Sequence, residues 1–115
     1  MVGHMTNLQS HEVKHPLASK ATMKVLISEN EGWDNHVMRV LTVEVGGFTP
    51  KHAHPWPHIN YIISGKGTLM IDSVSHPVEA GSYAFVPANA LHQFANAGDE
   101  TFQFICIVPK EGHSL

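Results

Sequence analysis

An internal disulfide is closed to this chain, because its 115 residues include a single cysteine, Cys106. A lone thiol agrees with a reducing compartment. Charge is scarce as well. Asp, Glu, Lys and Arg make up 15% of the residues, and 7 Lys and Arg against 10 Asp and Glu leave a formal net charge of -3. That balance gives no electrostatic footprint for nucleic acid or an anionic membrane surface. No apolar run approaches the roughly 20 residues of a bilayer-spanning helix, and the first ten residues have neither the charged nor the apolar part of a secretory leader. The expectation is a soluble, cytoplasmic protein without nucleic-acid or membrane partners. Helical periodicity of about 3.6 residues is also missing over any useful length. A chain of this size holds one core and not two.

What the chain does have is ten histidines and many short strand signals. Residues 1–20 show no periodicity and read as an irregular arm, with His4, His11 and His15 as solvated tail residues. Strand patterns follow at 21–28 and 36–45, with a turn at 29–35 and a stop at Gly46-Gly47. Residues 59–64 and 68–72 read as a hairpin about Gly65-Lys66-Gly67, and 73–77 as the next turn with His76 exposed. Three more strands fall at 83–86, 92–95 and 102–108. Segments this short and evenly punctuated describe an all-β sandwich or barrel in one domain over 21–115.

Three of the histidines stand in His52-Ala53-His54-Pro55-Trp56-Pro57-His58. On an extended backbone His52 and His54 project to one face, near enough to share an ion, and Pro55 and Pro57 rule out a helix there. Alone, H-x-H-x3-H arises by chance about one time in fifteen in so His-rich a chain. Its surroundings add much more. Gly46 and Gly65 extend it to G-x5-H-x-H-x3-H-x6-G, and Gly81, Pro87, His92 and Asn96 form G-x5-P-x4-H-x3-N. The joint pattern has odds by accident on the order of one in a million. It resembles the cupin family, whose two motifs run G-x5-H-x-H-x3or4-E-x6-G and G-x5-P-x-G-x2-H-x3-N.

The resemblance covers residues 46–96 by motif. It implies a small jelly-roll-like β-barrel, a double-stranded β-helix of two facing antiparallel sheets, with one divalent metal in its mouth. His52, His54 and His92 match the family's histidine ligands. Two positions depart from the pattern. Asn89 stands where the family usually has glycine, a change that Asn tolerates because it accepts positive φ. His58 stands where the family usually has glutamate, so the chain looks like the short single-domain cupins with four-histidine sites, several of them manganese-binding. Four neutral imidazoles leave the full +2 charge of an ion uncompensated, which favours an anionic ligand. Imidazole accepts manganese, iron, nickel, copper and zinc alike; the resemblance puts manganese first.

On strand parity, Phe94 points inward with His92, and Phe102, Phe104, Cys106 and Val108 share one face of the last strand. We take the face with Phe104 and Cys106 as the one beside the metal, since the resemblance places that strand there, and Trp56 as a residue of the pocket entrance. Each of these pocket candidates also fits an ordinary core or rim role. No Glu, Asp or Lys falls beside the ligands within the motifs, so no acid or base for proton transfer is evident. The sequence therefore points to a metal-dependent oxygenase of cupin type acting on a small organic substrate. A non-catalytic small-molecule-binding protein and a redox-neutral isomerase or lyase are the alternatives. Apolar residues of both parities at 59–63 and 103–107, together with the family's habit, imply a homodimer.

Overall fold

In the computed structural model, which describes residues 1–114, polar and apolar alternation produces nine strands: β1 His11–Glu12, β2 Ser19–Ile27, β3 His36–Phe48, β4 His58–Ser64, β5 Lys66–Ile71, β6 Val74–Glu79, β7 Tyr83–Val86, β8 His92–Asn96 and β9 Phe102–Pro109. Helical structure among the described residues is confined to three 3₁₀ turns at Met5–Asn7, Glu29–Glu31 and Lys110–Gly112. The strands pair antiparallel in the order β6-β5-β8-β3-β9-β4-β7, with β2 also on β3 and β1 on β2. This is the expected all-β barrel of two facing sheets.

Strand β3 joins the two sheets. Its body pairs with β2 and β9, and its last residue, Phe48, pairs with Ala95 of β8. Gly46-Gly47 therefore does not end the strand as expected. Gly46 takes φ +80, the register against β2 slips between Ser19 and Ala21, and the chain bends while remaining extended. Gly65 marks a second difference. Residues 59–64 and 68–72 do not form a hairpin: β4 pairs with β7 and β9, whereas β5 pairs with β6 and β8. With φ +81, Gly65 turns the chain over one residue from one sheet into the other. The hairpin lies one strand later. Asp72 and Ser73, at φ 46 and 70, join β5 to β6 as a two-residue loop. The expected turn at 73–77 is thus mostly strand; His76 is exposed, on β6. Pro77 is accommodated there because β6 ends the sheet order and its outer side needs no donor.

The inward parity of β9 buries Phe102, Phe104, Cys106 and Val108, all at most 3% exposed. Phe104 stacks on Phe94 of β8 at 4.0 Å, and Val37, Leu41 and Val43 of β3 and Ile62 of β4 close the cluster. Each large apolar side chain so buried contributes about 1.5–3 kcal/mol. At one end the inward row changes character, to His58 and Asn60 on β4 and His92 on β8, all buried. The 1–20 arm is more ordered than its sequence implies, since His11 and Glu12 pair with Met23 and Thr22.

Candidate metal centre

His52 and His54 lie on the segment between β3 and β4, which is tied to the β8 side at three places. Thr49 exchanges backbone and hydroxyl hydrogen bonds with Phe94. The backbone N–H groups of His52 and His92 donate to each other's carbonyls, at 3.2 and 3.0 Å. Asn89 N–H donates to the His54 carbonyl at 2.7 Å. Asn89 achieves this at φ +68, the left-handed region that its motif position ordinarily reserves for glycine.

These ties bring the rings together. Side-chain nitrogens of His52, His54 and His92 lie within 4.8 Å of one another. His58 falls outside that set, but its Nε2 is 3.1 Å from His92 Nε2 and its ring centroid 5.5 Å from that of His54. His92 is the common neighbour, 4.8, 4.9 and 4.8 Å from the rings of His52, His54 and His58.

Hydrogen bonds fix which nitrogen faces inward. Nδ1 of His54 donates to the Trp56 carbonyl and Nδ1 of His92 to the Ala90 carbonyl, both at 2.9 Å. Nδ1 of His58 donates to Asn60 Oδ1 at 2.7 Å, and Asn60 is oriented in turn by donating Nδ2 to the Ile105 carbonyl. Carbonyl oxygens only accept, so each of these imidazoles, when neutral, presents a bare Nε2. Two such lone pairs 3.1 Å apart repel unless a cation or proton lies between them. Two nitrogens each about 2.1 Å from one ion, at a right angle, would be separated by about 3.0 Å. The residues fit a divalent metal.

Burial also keeps the rings neutral. Desolvation, followed by the neighbouring imidazoles, pushes His52 down to about 4. Desolvation likewise takes His92 to about 4 against the opposing bond to Ala90, and it lowers His54 and His58. An unfolded chain takes up protons on His52 and His92 near pH 6.5, the folded one only near 4. Stability of the metal-free protein is therefore complete above about pH 6.5 and is lost as pH falls through the window towards 4. Melting curves between pH 7.5 and 4.5 should show Tm dropping by several degrees; a flat Tm would contradict neutral burial.

A cleft of about 440 Å³ opens on the centre. Trp56, Phe94, Phe104 and Cys106 all line it, together with His52, His54 and His58. Trp56 lies parallel to His54 at 4.7 Å, and a Cβ on Gly112 would strike its indole. Several lining residues escaped the reading by motif. Glu12 to His15 reach the cleft from the arm, and the His15 ring, exposed as expected, is 6.4 Å from that of His52. Asn60 was legible as a polar residue sharing inward parity with His58. Arg39 was legible as a charge among Val37, Leu41 and Val43 on an apolar face, and its Nη2 donates to Cys106 Sγ at 3.4 Å. It is the cationic neighbour of Cys106 that the local sequence conceals, since the two pair across β3 and β9.

The cupin domain family model matches residues 39–108. Over 95% of this chain and 78% of its own, the polyketide cyclase RemF from Streptomyces resistomycificus superposes with a TM-score of 0.88 at 28% identity. A cupin-2 domain from Rhodospirillum rubrum gives a TM-score of 0.81 at 26% identity, over 94% of this chain and 72% of that one. Among curated proteins, a glucose-6-phosphate isomerase from Thermococcus onnurineus is 35% identical over 75 residues, 57% of this chain and 40% of the isomerase. Auxin-binding protein 1 from Arabidopsis thaliana is 28% identical over 78 residues, 60% of this chain and 39% of that protein. The chain thus spans about two fifths of the curated relatives it matches. Among the described residues no helix is long and apolar enough to cross a membrane.

Proposed function

Because this chain belongs to the cupin family, we propose that it is a metal-dependent oxygenase, acting on a small enolisable organic substrate at a centre formed by His52, His54, His58 and His92. The observation that carries this reading is the convergence of imidazole nitrogens, with no carboxylate among them, at an otherwise largely apolar cleft. A divalent ion bound there, manganese first and iron, nickel, copper or zinc next, would supply Lewis acidity and, if redox-active, electron exchange with dioxygen. The chain's own residues hold and orient. Asn60 and the carbonyls of Trp56 and Ala90 set the tautomers, a support whose removal ordinarily costs 10- to about 100-fold in metal affinity. Phe94, Phe104 and Val108 exclude water from the reacting end of the cleft.

A second reading, redox-neutral ring closure or isomerisation, is favoured by the 28% identity to a polyketide cyclase over 95% of the chain. Glu12, the carboxylate on the cleft lining, would then be the nearest candidate for proton transfer. Oxygen-electrode traces of manganese- or iron-loaded protein with diketones or phenols separate the two. Uptake matched to substrate loss is expected. Equal turnover under argon with zinc would replace the oxygenase with the cyclase reading, and binding without turnover under any metal would leave a ligand-binding protein.

The homodimer belongs to this proposal too. Ile59, Tyr61, Tyr83 and Phe85 are 48%, 51%, 84% and 61% exposed on the outer face of β4 and β7, where with Ile105 and Ile107 they rim a shallow apolar groove. Strand β7 also ends the sheet order, so a second copy related by a two-fold axis would cover both the face and the edge. Sedimentation of a monomer at micromolar concentration would refute it.

A further inference from the structure

Arg39 is the charge that the centre does not need. Four histidines suffice to hold an ion, yet β3 sends a guanidinium into the same cleft, at an inward position between Val37 and Leu41. Its Nε is sealed from solvent and has no hydrogen-bond partner. The one bond its guanidinium makes among the described residues is to Cys106 Sγ at 3.4 Å, and a thiol is a weak acceptor. Glu12, the carboxylate of the lining, is exposed on β1 and forms no hydrogen bond with it. A partly buried guanidinium with no carboxylate partner among the described residues is costly to leave unsatisfied, and a fork with free donors is built for a planar oxyanion.

We infer that Arg39 is the anchor for a carboxylate of the substrate, which makes the substrate a small organic acid. Arg39 and the histidines border one cleft of about 440 Å³, a volume for a molecule of modest size. The guanidinium would take the carboxylate, Phe94 and Phe104 the carbon skeleton, and the His centre the enolisable or hydroxyl oxygen. This last assignment rests on the metal-dependent reading above; the carboxylate anchor does not. Arg39 is thus a specificity residue, and it lies outside both motifs.

Benzoate and benzamide test the idea, having nearly one shape and differing in charge. Isothermal titration of zinc-loaded full-length protein should show benzoate binding at least about tenfold tighter than benzamide, as expected of a charge-assisted bidentate pair. R39Q should bring the two affinities together, and R39K, which keeps the charge but loses the fork, should fall between. Removing a partly buried cation that has no carboxylate partner among the described residues should leave the Tm of R39Q equal or higher, whereas a merely structural arginine would lower it. A preference for benzoate that survives in R39Q would place the carboxylate on the metal and overturn the inference, as would no preference in the wild type or a marked fall in Tm. No dioxygen or turnover enters the measurement, so loss of the oxygenase reading and loss of this one are separate results.

Discussion

H92A protein, reconstituted with manganese or zinc and desalted, should hold well under one equivalent of metal by elemental analysis, with affinity reduced by more than about 100-fold, beyond the loss of an outer support. His92 is chosen because its ring is the common neighbour of the other three and its Nε2 faces that of His58 at 3.1 Å. The substitution spares the local fold, because the bridge to His52 is made by backbone groups that alanine retains. Loss of metal will therefore report a lost ligand and not a lost barrel, which circular dichroism can verify. H58E is the companion. A glutamate restores the residue common in the family, lowers the net charge of a loaded site by one, and should keep the metal while weakening the binding of anions. Stoichiometric metal in H92A would remove the basis of the site.

G65A should be the most damaging single-methyl change, lowering stability by about 3 kcal/mol or more and Tm by roughly 10–20 °C. Two costs combine there. The residue sits at φ +81, where a side chain is strained by about 1–2 kcal/mol. The new Cβ would also collide with the carbonyl oxygen of Thr101 and lie 2.9 Å from Phe102 Cα, backbone atoms that cannot swing aside. G81A separates the two contributions. Gly81 is at φ +92 but nothing lies within 4 Å of a Cβ there, so its loss should be limited to the strain. Urea unfolding of both variants checks this; similar losses would show that the collision at residue 65 is relieved by movement of β9.

The same glycine explains which parts of the fold were legible. Strand positions and the sharing of a face follow from alternation, which is local, but which face of the last strand turns inward rests on the family resemblance, and the burial of Phe104 and Cys106 agrees with it. Pairing is not local. Nothing between residues 58 and 71 distinguishes a hairpin about Gly65 from a corner, because the choice depends on β9 and β8 being available on either side. At the candidate site, His52, His54, His58 and His92 stand within the two motifs, whereas Arg39 lies outside both. Glu12, Lys14 and His15 could not be placed, since the arm reaches the cleft through a two-residue strand whose partner lies about ten residues away.

Strand order also governs how quickly the barrel can form. Apart from β5–β6, closed by Asp72 and Ser73, and β1–β2 and β2–β3, the ladders join segments separated by long stretches of chain: β3 meets β9, β4 meets β9, and β3 meets β8. Loop closure must be met before such contacts give anything back, so refolding in milliseconds to seconds is expected, with the β5–β6 hairpin as the natural early structure. His52 and His92 likewise face each other across a long stretch of chain. Their bridge forms only as the barrel itself closes, and metal capture will lag behind collapse in a stopped-flow experiment.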